Sequence, residues 1–131
     1  MATGKNARVL VVDDETDVCS LFQQRFRKEV KSQKLHFAFA NSGKEALQYL
    51  RNHNSERITV LSDINMPGMS GLELLEHIGR EFKSQKPAVY MITAYSDAEN
   101  YQRAIGLGAT DLLTKPLDFT LLRQKLNLQD A

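Results

Sequence analysis

The chain has 131 residues, of which 42% are apolar and 25% charged, and its formal net charge is +1. That length suits one domain with a real core, and so even a balance argues against a nucleic-acid or anionic-membrane binder. Cys19 is the only cysteine, so an internal disulfide is excluded; no run approaches membrane-spanning length, and MATGKNARVL lacks the apolar segment of a signal peptide. A cytoplasmic globular protein with no membrane partner is expected.

Residues 1–6 read as a loose tail. Arg8 to Val12 (RVLVV) is a short β-branched strand stopped by Asp13 and Asp14. Val18, Leu21, Phe22 and Phe26 then recur at helical spacing, with Cys19 as a core filler. Leu35 to Ala40 alternates like an edge strand with one wetter face. Ile58 to Ser62 and Ala88 to Thr93 are continuous apolar runs, as in a parallel sheet covered on both sides. Asp111 to Thr114 makes a weaker fifth strand. Three S-x-x-E boxes open helices: Ser42 with Glu45, Ser70 with Glu73, and Ser96 with Glu99. Their apolar stripes are Ala46, Leu47 and Leu50; Leu72, Leu75, Ile78 and Phe82; and Ala98, Tyr101 and Ile105. A last helix starts near Asp118 and carries Phe119, Leu122 and Leu126. Five β-α units in a row predict an α/β fold: a doubly wound, mostly parallel sheet with helices on both faces.

Ligands in such a sheet bind at the carboxyl ends of the strands. There the sequence places Asp13 and Asp14 after the first strand, Asp63 after the third, Thr93 as the last residue of the fourth and Lys115 after the fifth. Singly, each has an ordinary role: helix cap, Asx turn, strand-end hydroxyl, solvated charge. Together they bring three carboxylates, a hydroxyl and an ammonium to one rim. Crowded carboxylates repel, and a hard divalent cation relieves them; oxygen donors select Mg2+ or a close relative such as Mn2+. Metal, ammonium and hydroxyl together suit a phosphoryl group. Asp63 is then a nucleophile that becomes an acyl phosphate. Pro67 and Gly68 stiffen the next turn, so that the Asn65 carbonyl also faces the metal.

The pieces VLVVDDE, DINMPGMSGLELL, MITAYSD and GATDLLTKPLD resemble the receiver domain of two-component response regulators, the chemotaxis-protein type of flavodoxin-like fold. The resemblance covers about residues 7–127, and residues 1–131 are expected to form a single receiver domain. It implies a (βα)5 sheet of strand order 2-1-3-4-5. It implies that Asp63 is the phosphoacceptor, that Asp14 binds the metal directly, and that Asp13 acts through water. Thr93 and Lys115 would hold phosphoryl oxygens, and the Lys115–Pro116 peptide would be cis. Two positions depart from the family. Leu112 stands where an aromatic switch residue is usual. Tyr95 stands, with Asn65, beside the path of the hydrolytic water, where it is expected to slow loss of the phosphoryl group.

The implied donor is a sensor histidine kinase or phosphotransfer protein, and the receiver itself catalyses only transfer and hydrolysis. The implied readout is a downstream target or output domain on the face of the fourth crossover helix, the fifth strand and the last helix. A homodimer through the last helices is compatible. With no DNA-binding module in the sequence, direct contact with nucleic acid is not expected. Two alternatives remain open. One is a receiver-like module that docks constitutively, for which Leu112 is the best support. The other is a magnesium-dependent aspartyl-phosphate phosphohydrolase, which needs a second acid where this chain has Asn65. His36, His53 and His77 are scattered and suit packing. The Arg25, Arg27, Lys28, Lys31 and Lys34 cluster reads first as a solvated helix face and second as a patch that steers an acidic partner.

Overall fold

The structure is a computed structural model that describes residues 7–53, 56–84, 86–94 and 98–126. Five strands, β1 (Ala7–Val12), β2 (Leu35–Ala40), β3 (Ile58–Asp63), β4 (Ala88–Thr93) and β5 (Asp111–Thr114), form one parallel sheet in the order β2-β1-β3-β4-β5. That is the expected order. Side chains alternate across the sheet with the strand period of two. Leu10, Val12, Val60 and Met91 face a core completed by α3 (Gly43–Asn52), α4 (Gly71–Glu81) and Ala104 of α5 (Ala98–Gly106). Val9, Val11, Leu61 and Ile92 face a second core with Phe22 of α1 (Asp17–Arg25) and Leu122 of α6 (Phe119–Lys125).

The local signals act as the chemistry of helix ends requires. Ser70 and Glu73 form a full capping box, with the Glu73 N–H donating to Ser70 Oγ at 3.2 Å and the Ser70 N–H to Glu73 Oε1 at 2.9 Å. Ser42 caps α3 in the same way, but Glu45 accepts from the Asn41 N–H, one residue further back. Asp118 caps α6 through the Leu121 N–H. The third box begins at Ser96, which lies outside the described residues.

Three expectations need correction. The first crossover is not one helix: it breaks at Phe26 (φ −110°, ψ 26°) into α1 and the short α2 (Arg27–Lys31). Phe26 is fully buried, packed edge-on against Phe37 and Phe119, so the ring's place in the core outweighs continuity of the backbone helix. The stripe on α5 is also turned outward. Tyr101 and Ile105 are 44% and 39% exposed, and only Ala104 of that helix is buried. Leu21, expected on the buried face of α1, is exposed as well. An apolar period shows that a stripe exists and not which surface it meets.

Candidate functional site

Strand register assembles the rim. Val12 pairs with Ala40 and Ser62, Asp63 with Ile92, and Thr93 with Thr114, so all five strands end at one level. Neighbours of β1 diverge here, β2 on one side and β3 on the other, which makes the crevice above β1 and β3 the switch point of the sheet. Asp13, Asp14 and Asp63 stand in it. The Asp13 N–H donates to the Ala40 carbonyl at 3.1 Å, fixing the loop at its first residue.

The acids do more than their ordinary roles. Asp13 does not cap α1; the cap position is Thr16, without a side-chain bond. Instead Asp13 Oδ1 accepts from the Glu15 N–H at 2.9 Å. Asp63 does serve an Asx turn, with Oδ1 accepting from the Asn65 N–H at 3.2 Å. Its Oδ2 is left to face Lys115, whose Nζ donates to it at 3.2 Å and stands 4.0 Å from Asp13 Oδ2. Lys115 is positioned from its backbone, since its N–H donates to the Thr93 carbonyl at 2.8 Å. The Lys115–Pro116 peptide is cis, in agreement with the resemblance. Thr93 is 1% exposed, one residue beyond the partner of Asp63 on β4.

The carboxyl groups of Asp13, Asp14 and Asp63 each offer an oxygen within 4.8 Å of the others. Asp13 and Asp63 are buried and Asp14 is exposed. Burial, with repulsion from Asp63 and Glu15, raises the Asp13 carboxyl above its ordinary value, against the pull of the Glu15 N–H and Lys115. Burial also opposes the charge on Lys115, but the Asp63 hydrogen bond and the field of Asp63, Asp13 and Glu15 outweigh it and raise that amine. Hard oxygens only, two of them shielded, form a donor set that fits a divalent cation such as Mg2+. Such a crevice can gather a cation and a phosphoryl group beside one carboxylate.

The loop after Asp63 is clamped. The Gly71 N–H donates to the Ile64 carbonyl at 2.8 Å, Gly68 takes φ +76°, and Met66 is buried. A Cβ on Gly71 would lie 2.2 Å from the Asp63 carbonyl oxygen. Gly71 therefore lets α4 approach the strand end that carries Asp63. Sequence reasoning did not single it out; its one signal was a glycine inside a capping box, where helix propensity alone disfavours it. Leu112 is half-buried against the α3–α4–α5 core. Tyr95 lies outside the described residues.

Residues 9–127 match the family model of the response regulator receiver domain. The transcriptional regulatory protein ZraR of Escherichia coli O157:H7 is 38% identical over 128 residues, covering 95% of this chain and 26% of ZraR. The chain thus spans about a quarter of the length of that relative. The receiver domain of the Francisella response regulator 1452 superposes with a TM-score of 0.77 at 28% identity, covering 94% of this chain and 95% of that one. Vibrio cholerae chemotaxis protein CheY4 gives a TM-score of 0.76 at 26% identity, covering 94% and 98%. Family match, strand order and rim agree, and the chain belongs to the response regulator receiver domains of two-component systems.

Proposed function

We propose that Asp63 is the phosphoacceptor of this receiver and that the rim around it performs transfer and hydrolysis. The supporting observation is that Lys115 Nζ lies 3.2 Å from Asp63 Oδ2 while Asp13 and Asp14 offer oxygens within 4.8 Å of Asp63. A carboxylate oxygen of Asp63 attacks the phosphorus of a phosphohistidine on a sensor histidine kinase or phosphotransfer protein. The P–N bond breaks, imidazole leaves with the electron pair, and an acyl phosphate forms. Asp14, Asp63, the Asn65 carbonyl and, through water, Asp13 would hold Mg2+ or Mn2+. That ion would offset charge on the phosphoryl oxygens. Lys115 moves its hydrogen bond from Asp63 to a phosphoryl oxygen, and the Thr93 hydroxyl donates to another. Water then attacks phosphorus and breaks the Asp63–phosphorus bond, releasing inorganic phosphate and restoring the carboxylate. Tyr95 and Asn65 flank that water's path.

The switch follows from Thr93. Drawn to the phosphoryl group, it vacates space that Leu112 fills, and the change is read on the face of α5, β5 and α6. Tyr101, Ile105 and Leu121 are exposed there, an apolar surface for a target, an output domain or a second copy. No helix among the described residues is long and apolar enough to cross a membrane. The region matched to the family is a receiver, and in this reading its work is contact with a kinase and with a target or output domain.

Acetyl phosphate with magnesium tests the reading. Wild type is expected to take up one phosphoryl group and Asp63→Asn none, scored by intact mass and by alkali-labile label. Equal labelling of both proteins overturns the assignment. Tyr95→Ala is expected to shorten the half-life of the acyl phosphate; an unchanged half-life removes Tyr95 from the account.

A further inference from the structure

Charge in this chain is segregated. Within residues 25–34, Arg25, Arg27, Lys28, Lys31 and Lys34 against Glu29 make +4, while the whole chain is +1, so the other 121 residues carry −3. All five cations are exposed, spread over the end of α1, the whole of α2 and the turn that follows. The Lys34 N–H donates to the Glu29 carbonyl at 2.9 Å and Gln33 takes φ 65°, which folds that turn back onto the helix. Val30 sits among the cations, 37% exposed.

A solvated helix face normally mixes signs along its length. Here the one acid is turned inward. Glu29 is 14% exposed, and its Oε2 accepts from Arg123 Nε of α6 at 2.8 Å. Arg123 also lies over the Phe26 ring at 4.7 Å, so this pair bolts α6 to the helix break. The outer surface of α2 is left cationic on a firm base. It is also at the other end of the sheet from the acidic rim: β2 begins at Leu35, directly after this turn, and its six residues run roughly 16 Å before they reach the rim at Ala40. That is about two Debye lengths at physiological salt.

We propose that α2 and its flanking turn form a docking site for a short acidic segment of a partner protein. The occupant follows from the charge map. A bilayer or a duplex is an extended polyanion that would overhang this small patch and meet the rest of the molecule, whose formal charge is −3. A short acidic segment ends before it does. A single exposed valine also gives a membrane little to bury. The site uses none of the rim residues, so it stands independently of the phosphoryl chemistry.

Fluorescence anisotropy of a labelled polyglutamate peptide tests this. Binding to wild type is expected at low salt and is expected to weaken steeply by about 150 mM NaCl. Lys28→Glu/Lys31→Glu is expected to bind at least about tenfold more weakly. Lys28→Gln/Lys31→Gln should fall between the two, which separates lost charge from misfolding. Lys83→Glu/Arg103→Glu, with the same change in net charge on other surfaces, should bind nearly as wild type does. Failure of wild type to bind, equal loss in the Lys83/Arg103 variant, or tighter binding to duplex DNA or phosphatidylglycerol vesicles at matched salt overturns the proposal. Acetyl phosphate labelling of Asp63 in the same variants separates this result from the reading of the rim, since that labelling should not change.

Discussion

Gly71 and Gly43 open helices on the same face of the sheet, yet they differ in what surrounds them. A methyl group on Gly71 would meet backbone, the Asp63 oxygen at 2.2 Å and Ile64 Cα at 2.8 Å. On Gly43 it would meet the Met69 thioether, with Sδ at 2.6 Å. Backbone cannot swing aside and a methionine can. Gly71→Ala is therefore expected to destabilise by about 3 kcal/mol and Gly43→Ala by less than about 1 kcal/mol. Urea midpoints at unchanged m-value check this, and equal losses would contradict it. Asp13 makes a second case. Burial first, then repulsion from Asp63, raises its carboxyl, so the folded state disfavours the ionised form. For an acid raised on folding, stability falls as pH climbs past the ordinary aspartate value, and the cost is complete once pH exceeds the raised folded value. Asp13→Asn keeps an acceptor for the Glu15 N–H and is expected to raise the melting temperature of metal-free protein at pH 7; a lower one would refute the sign. The acids were legible because strand ends are legible. Gly71 was not, because its importance lies in a tertiary approach that no local pattern encodes.

Elements were legible where burial enforces a period. All five strands lie within a residue or so of their expected positions, since each runs through a core on both faces. Two helices were misread where burial gives way to surface: at Phe26, where an aromatic anchor broke the helix, and on α5, where the stripe faces out. The pairing of β5 with α6 was invisible too, because Lys125 and Asp111 are distant in sequence. Lys125 Nζ lies 2.7 Å from Asp111 Oδ2. The hydrogen bond from Lys125 holds the Asp111 carboxyl below its ordinary value, against partial burial and with help from the Leu112 N–H. The same bond raises the Lys125 amine. A depressed acid contributes stability above its unfolded value and loses it as pH falls through the lower folded one. A raised amine contributes below its unfolded value and loses it as pH rises through the higher folded one. The coupling should thus be flat from about pH 5 to about pH 9 and fade outside that window. Both groups remain partly exposed, so water and salt screen the pair. A double-mutant cycle with Asp111→Asn and Lys125→Met is expected to give about 0.5 kcal/mol at pH 7 and less in high salt. A coupling that persists unchanged at pH 2 would show that the bond is not electrostatic.

At the scale of the whole molecule, a net charge of +1 conceals a polarised body, with cations at the far end of α1 and carboxylates at the rim. The fold tolerates that rim because its stability comes from the two apolar layers. It follows that an ion bound at the rim, as proposed, should be linked to global stability. A ligand that binds only the folded state adds RT ln(1 + [L]/Kd), about 2.7 kcal/mol at a hundred times Kd. For a domain of this size that is roughly 10 °C in melting temperature. Scanning calorimetry in EDTA and in saturating MgCl2, at matched ionic strength, should show a shift of that order in wild type. Matched salt matters because screening alone relieves some repulsion between the acids. Asp14→Asn removes an exposed oxygen donor and few packing contacts, so it should leave the metal-free melting temperature nearly unchanged and abolish most of the magnesium shift. Asp13→Asn should start from a higher metal-free value and gain less from magnesium than wild type does, because repulsion it has already relieved cannot be relieved again. A magnesium shift as large in Asp14→Asn as in wild type would place the ion elsewhere and remove the acidic rim as its site.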